Sequence, residues 1–229
     1  MIKTVIFDMY ETLITLYNSP NYFGPHMAED AGIPVEKFKE IWSPMEDDRS
    51  IGKISLEEIL TLILEKNNCY SKELLEKLVE KRVWAKAECF KHLNPEIIPM
   101  LESLKRKNVK IGLISNCFSE EARLIRESIL YSFFDAVMLS YEQGVKKPNE
   151  EIYRRCMKEL HVTPEECLYI GDGGSSELEA ADKLGMKALQ AVWYLKEGTN
   201  QPVGRKAEFE QVERPLDILK IVGEENGAK

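Results

Sequence analysis

Lys3-Thr4-Val5-Ile6-Phe7-Asp8-Met9-Tyr10-Glu11-Thr12-Leu13 begins as an apolar strand, stops abruptly at a carboxylate, Asp8, and passes into a polar turn. In an open α/β sheet the carboxyl end of a strand is where ligands and catalysis gather. A carboxylate in that place can attack phosphorus or carbon and form a covalent aspartyl intermediate. An aspartate after an apolar strand serves just as well as a turn cap, so the meaning of Asp8 depends on the rest of the chain.

Short apolar runs bounded by polar turns recur over residues 109–115, 136–140, 167–171 and 188–193. Helical patterns lie between them. Residues 97–107 form one, 120–130 a second with Ser119 as its N-cap, 151–160 a third after Lys147-Pro148-Asn149, and 177–184 a fourth ending at Gly185. Thr163-Pro164-Glu165-Glu166 has the form of a capping box with proline at the first helical position. Residues 214–222 read as a final helix docked on the core, and the tail after Trp193 otherwise carries no legible chemistry. Strand and helix alternation of this kind predicts right-handed βαβ units and a parallel sheet.

Residues 16–93 read differently, with helical patterns and no strand. Ser55-Leu56-Glu57-Glu58 is a capping box opening a helix to about residue 66. Ser71 opens a longer one to about residue 90, with Leu74, Leu75, Leu78, Val79, Arg82 and Val83 along one stripe. The expected architecture is therefore an α/β core of residues 1–15 plus 94–229 and a helical cap of residues 16–93. A cap inserted directly after the first strand sits over that strand's end, where it excludes water and selects substrate.

The net charge of −8 without a basic block argues against nucleic acid or an anionic membrane as the main partner. It leaves room for a small anionic substrate held by a few local cations. No apolar run approaches a membrane span of roughly 20 residues, and the N-terminus meets Asp8 too early for a signal peptide. Cys69, Cys89, Cys117, Cys156 and Cys167 are odd in number, scattered and without zinc spacing. Reduced thiols in a cytoplasmic protein, a monomer or homodimer, are the expectation. His26, His92 and His161 are isolated and have no expected role.

Three further signals accompany Asp8. The strand Lys110-Ile111-Gly112-Leu113-Ile114-Ser115-Asn116 ends in a hydroxyl that, with the next backbone N–H groups, can hold a phosphoryl oxygen. Lys146-Lys147-Pro148 fixes a lysine beside a proline, able to neutralise a carboxylate and a phosphoryl group. Leu168-Tyr169-Ile170-Gly171-Asp172-Gly173-Gly174-Ser175-Ser176-Glu177 ends a strand in an acid, turns on glycines and opens a helix with a second acid. Hard oxygen donors of that kind suit Mg2+.

In this order, Asp8, Ser115, Lys147 and Asp172 resemble the four motifs of the haloacid dehalogenase (HAD) superfamily. The resemblance covers nearly the whole chain and implies a Rossmann-like parallel sheet with an inserted α-helical cap. It implies Asp8 as nucleophile, Thr12, Ser115 and Asn116 as contacts to the transferred group, and Lys147 as its charge partner. It also implies a Mg2+ site made by Asp8, the Tyr10 backbone carbonyl and Asp172, with Glu177 in support. Most members are phosphatases or phosphotransferases.

Two departures matter. Phosphatases of the family carry a second aspartate two residues after the nucleophile, which protonates the leaving group. Here that residue is Tyr10, as in haloacid dehalogenases, and the usual glycine after it is Glu11. Dehalogenases, however, need no metal and lack an acid at the place of Asp172. Three acids converging in a dry pocket raise one another's pKa unless a cation relieves them, so the expected activity is a Mg2+-dependent phosphatase of a small metabolite. A metal-independent 2-haloacid dehalogenase and a phosphate-binding protein with little turnover stay open. Glu11 or a cap residue is expected to supply the missing proton. In the cap, Arg49 is a candidate substrate contact, since arginine grips anionic oxygens bidentately, and equally a solvated loop charge. Tyr22, Phe23 and Trp42 read as cap core or pocket lining.

Overall fold

Four residues of the opening run, Thr4–Phe7, form β1, and all four are buried. Continuous burial marks a strand covered on both faces, as parallel sheets require. The computed structural model describes residues 1–196 and 201–227. After β1 come α1 (Gly24–Asp30), α2 (Val35–Trp42), α3 (Glu46–Ser50), α4 (Leu56–Lys66) and α5 (Lys72–Glu88). The α/β alternation then resumes with α6 (Ile97–Arg106), β2 (Lys110–Ser115), α7 (Ser119–Glu127), β3 (Ala136–Leu139), α8 (Ser140–Gln143) and α9 (Glu150–Leu160). It closes with β4 (Cys167–Gly171), α10 (Glu177–Lys183), β5 (Lys187–Ala191), β6 (Glu210–Val212) and α11 (Ile218–Gly227).

The strands form one parallel sheet in the order β3-β2-β1-β4-β5-β6. The chain builds outward from β1 to β3, then crosses back to place β4 on the other side of β1. That reversal is a topological switch point, which opens a crevice at the carboxyl ends of β1 and β4. Side chains alternate across the sheet. Val5 and Phe7 join one core layer with Met100, Leu101 and Ile125, whereas Ile6 joins the other with Ile152, Cys156 and Leu178. The helices between β1 and α6 carry their own cluster, built on Met27, Phe38, Ile59, Ile63 and Leu78.

Several local expectations are corrected. Phe118, not Ser119, is the N-cap of α7. The Ser119 hydroxyl instead accepts the Leu56 N–H at 2.9 Å, tying α4 to the sheet layer. The Thr163 box opens only a single 3-10 turn before β4. α5 stops at Glu88, ahead of a 3-10 turn over Cys89–Lys91. β5 ends at Ala191 because Trp193 turns back to the first loop, donating its indole N–H to the Thr12 carbonyl at 2.8 Å. β6 lies in the tail that carried no legible signal; it is three residues long, and Glu-Gln-Val has no apolar run to betray it.

Candidate active site

Asp8 follows β1, Ser115 ends β2 and Asp172 follows β4, three neighbouring strands at the same sheet edge. The Asp8 N–H bonds the Ile170 carbonyl at 2.9 Å, so the sheet ladder itself sets where the carboxylate emerges. Lys147 arrives from the turn between α8 and α9. Its backbone is fixed by Asn116, whose side-chain oxygen accepts the Lys147 N–H at 2.8 Å and whose amide donates to the Lys147 carbonyl at 3.1 Å. The same amide donates to Ser175 Oγ at 3.3 Å. The Asn116 side chain thus clamps the lysine turn to the glycine-rich loop.

The Lys147 ammonium is 3% exposed and sits 2.5 Å from Asp8 Oδ1; it also pairs with Glu177 Oε2. Burial alone would pull this lysine down, but the Asp8 and Glu177 carboxylates outweigh burial and hold it above its ordinary value. Glu177 spends both oxygens inside the protein. Oε2 takes Lys147 and the Tyr169 hydroxyl at 2.9 Å, and Oε1 takes the Gly173 N–H at 3.1 Å. Gly171 permits this, because a methyl group at its Cα would collide with the Glu177 carboxylate. Gly173 turns the loop at φ +95°, a conformation that favours glycine. Tyr169 and Tyr153, neither anticipated, hold Glu177 through its carboxylate and its backbone carbonyl. Tyr169 was legible in one respect, since it lies two residues before Gly171 and therefore on the same strand face.

Asp8, Asp172 and Glu177 bring carboxylate oxygens within 4.8 Å of one another. Burial, opposed by Lys147 and assisted by Glu177, lifts Asp8 to about 7. Burial, then Glu177 and Asp8, lifts Asp172 to about 8. Hard donors that crowd and repel in this way fit a divalent cation. Among the described residues, the Thr12 and Tyr10 hydroxyls are buried without a hydrogen-bond partner. Ser115 Oγ, fully buried, makes one long contact, 3.5 Å to the Asn116 carbonyl. Thr12 and Ser115 lie on the loop after β1 and at the end of β2, and the Tyr10 ring lies 5.5 Å from the Lys86 ammonium.

Glu11 lines a cavity together with Asp172, but its carboxylate is already engaged within its own turn. Its φ is +57°, and its carboxylate accepts the Thr15 hydroxyl at 2.6 Å and the Leu16 N–H at 2.8 Å. It closes the turn it belongs to. Arg49 is not a solvated loop charge; it is 2% exposed, with its guanidinium 3.6 Å from the Trp42 ring centroid and 4.0 Å from that of Phe118. Tyr22 bonds Asp30, and Phe23 is 41% exposed near Arg82 and Lys86. Beneath the inserted helices lies an unanticipated buried charge cluster. Arg82 donates to Glu120 at 3.1 Å, and Lys86 pairs with Glu121 at 2.7 Å. A cleft of about 210 Å³, lined by Glu46, Ser50, Asn116, Phe118, Lys146 and Ser175, opens beside the motif residues.

Known proteins resemble this chain over much of its length. It is 29% identical over 136 residues to glyceraldehyde 3-phosphate phosphatase of Methanopyrus kandleri, covering 57% of this chain and 56% of that one. It is 31% identical over 130 residues to phosphoglycolate phosphatase of Aquifex aeolicus, covering 56% and 58%. The aligned stretch therefore spans little more than half the length of these curated relatives. Among solved structures, a 2-haloacid dehalogenase from Pseudomonas syringae superposes with TM-score 0.71 at 20% identity, covering 97% of this chain and 99% of that one. A HAD phosphatase from Thermococcus onnurineus gives 0.64, also at 20% identity, covering 97% and 98%. At that identity they speak for the fold alone. No helix among the described residues is long and apolar enough to cross a membrane. The profile of haloacid dehalogenase-like hydrolases matches residues 2–185, and the chain belongs to that family.

Proposed function

We propose that this protein is a Mg2+-dependent phosphatase of a small phosphorylated metabolite, with Asp8 as the nucleophile and the helices of residues 16–93 as a cap over the site. The observation that carries the reading is the convergence of Asp8, Asp172 and Glu177 within 4.8 Å in a buried pocket. Two of these acids are raised far above the ordinary carboxylate range. Burial, with mutual repulsion added to it, makes these carboxylates costly to ionise, and a divalent cation relieves that cost.

Asp8, Asp172 and the Tyr10 backbone carbonyl would hold Mg2+, with Glu177 supporting them through the loop. The ion supplies charge to offset the phosphoryl oxygens and keeps Asp8 ionised near neutrality. The Asp8 carboxylate attacks phosphorus, and the bond from phosphorus to the leaving oxygen breaks. Thr12 and Ser115 hydroxyls donate to the equatorial oxygens, and Lys147 neutralises the charge they accumulate. Water then attacks phosphorus in the aspartyl-phosphate, releasing inorganic phosphate and restoring Asp8.

Tyr10 stands where a carboxylic acid would assist departure. Burial keeps its hydroxyl well above its ordinary value, so it is neutral and able to donate a hydrogen bond to the leaving oxygen. Hydrolysis of p-nitrophenyl phosphate tests the reading, because that leaving group barely needs a proton. Turnover that requires Mg2+, stops with chelator and is lost in Asp8→Asn supports it. No turnover with Mg2+ overturns it.

A further inference from the structure

The turn that carries Tyr10 and Thr12 keeps its shape through its own bonds. The Leu13 and Ile14 N–H groups donate to the Met9 carbonyl at 2.9 and 3.0 Å, and the Glu11 carboxylate takes the Thr15 hydroxyl and the Leu16 N–H. Bonds of that kind fix the form of a turn and leave open where it sits against the neighbouring elements. For Thr12 the place matters. Its side chain is fully buried, and its hydroxyl has no hydrogen-bond partner among the described residues. A buried polar group without a partner is costly. With no bond of its own, this hydroxyl takes its direction from the backbone beneath it.

Two adjacent residues beyond β5 hold that backbone. Trp193 donates its indole N–H to the Thr12 carbonyl at 2.8 Å, across 181 residues of sequence. The Tyr194 hydroxyl accepts the Asn94 N–H at 2.8 Å and makes a long contact of 3.4 Å with the Leu13 carbonyl. The chain enters the inserted helices just after this turn and returns to the sheet layer through Asn94 and α6. Tyr194 therefore touches both crossings.

The holding pair is itself anchored. The Val192 N–H donates to the Val212 carbonyl of β6 at 3.0 Å, and the Gln201 amide donates to the Tyr194 carbonyl at 3.1 Å. The Trp193 ring packs on the core layer of Val5 and Phe7. Both residues are half-buried, close enough to solvent for their polar ends to be satisfied by water. They reach instead for the carbonyls of two consecutive residues of the turn.

Resting on the phosphatase reading, we infer that Trp193 is a positioning residue for phosphoryl transfer, with Tyr194 beside it: the indole N–H holds the Thr12 carbonyl and so aims the Thr12 hydroxyl at the transferred group. Both residues act through the backbone of the turn. Misplacing a reacting contact by about 1 Å costs about 100-fold. Removing one neutral hydrogen bond from its support predicts a loss of about 3- to 10-fold.

The test is a cycle of Trp193→Phe, which keeps an aromatic ring and removes the donor, with Thr12→Val, which keeps the shape and removes the hydroxyl. The readouts are kcat for p-nitrophenyl phosphate with saturating Mg2+ and competitive inhibition by inorganic phosphate. In the unaltered background Trp193→Phe lowers kcat by about 3- to 10-fold and weakens phosphate inhibition. With Thr12→Val already present, it changes kcat by less than about twofold. A loss of equal size in both backgrounds is a merely structural effect and overturns the inference, as does no loss in either. Reciprocity of coupled equilibria supplies a readout on the unaltered protein. Phosphate with Mg2+ slows hydrogen exchange at the Trp193 indole N–H and leaves that of the exposed Trp84 unchanged. Equal exchange at Trp193 with and without phosphate overturns the inference even if the variants fail to fold. Absence of Mg2+-dependent p-nitrophenyl phosphate turnover by the unaltered protein overturns the phosphatase reading instead.

Discussion

Replacing Lys147 with glutamine removes the one ammonium that bridges Asp8 and Glu177, at a site where all three side chains are 8% exposed or less. Losing one partner of a buried ion pair costs about 3–5 kcal/mol, because the remaining charge has neither water nor counter-ion. For 229 residues, at about 2.1 cal/mol/K per residue, that loss lowers Tm by about 6–10 °C. The pH dependence has a definite sign. Asp8 is raised to about 7, chiefly by burial, and Lys147 is the largest influence holding it down. A raised acid contributes stability that is present below its unfolded value and lost as pH rises through its folded value. Without Lys147 the Asp8 value climbs further, so the part of the gap that comes from Asp8 is absent near about pH 5, where only the lost pairing with Glu177 counts, and grows as pH rises past about 7. Thermal unfolding in chelator near about pH 5 and about pH 8 measures it. Mg2+ at the higher pH restores more stability to Lys147→Gln than to the unaltered chain, since it replaces a missing positive charge. Equal Tm values at the higher pH, or a gap that shrinks as pH rises, refute the reasoning.

Glu11→Gln leaves turnover of alkyl phosphates within about twofold, whereas loss of a general acid costs about 10²–10⁴-fold; steady-state kinetics decides between them. Glu121→Gln leaves Lys86 unpaired at 6% exposure and costs about 3–5 kcal/mol in a urea titration at neutral pH. Burial opposes it, but Lys86 and Arg82 hold Glu121 below its ordinary 4.5. Its contribution is therefore present above that value and lost as pH falls through the folded value, so the gap closes in acid. Tyr10→Phe removes the buried hydroxyl and lowers kcat for alkyl phosphates by about tenfold while leaving p-nitrophenyl phosphate nearly unchanged, because only the poorer leaving group needs the hydrogen bond.

The motif residues were legible because each stands at a fixed point of a periodic element. Asp8, Ser115 and Asp172 end apolar runs, and parallel pairing brings three such ends together. Lys147 was legible as a residue but not as a bridge, since its pairing with Glu177 depends on how β4 and α10 fold back on each other. The clamp of Asn116 on Lys147 spans 31 residues and leaves no local signature. Glu11 read as an acid by proximity, while its actual partners, Thr15 and Leu16, are supplied by a left-handed turn that polarity patterns do not encode. The buried pairs of Arg82 and Lys86 were hidden for a related reason. Arg82 stood on the apolar stripe of α5 with no partner to be read nearby and Lys86 was not on it, and only the docking of α5 against α7 brings Glu120 and Glu121 to them.

The central claim is that Asp8 carries the phosphoryl group and that water attacks phosphorus. Turnover of p-nitrophenyl phosphate in heavy-oxygen water, with mass spectrometry of both the phosphate and the Asp8 peptide, tests it most directly. The account predicts label in the released phosphate and none in Asp8. Label in the Asp8 carboxylate would contradict it, because water would then be attacking the carbonyl carbon of an aspartyl ester, the route by which a dehalogenase regenerates its nucleophile.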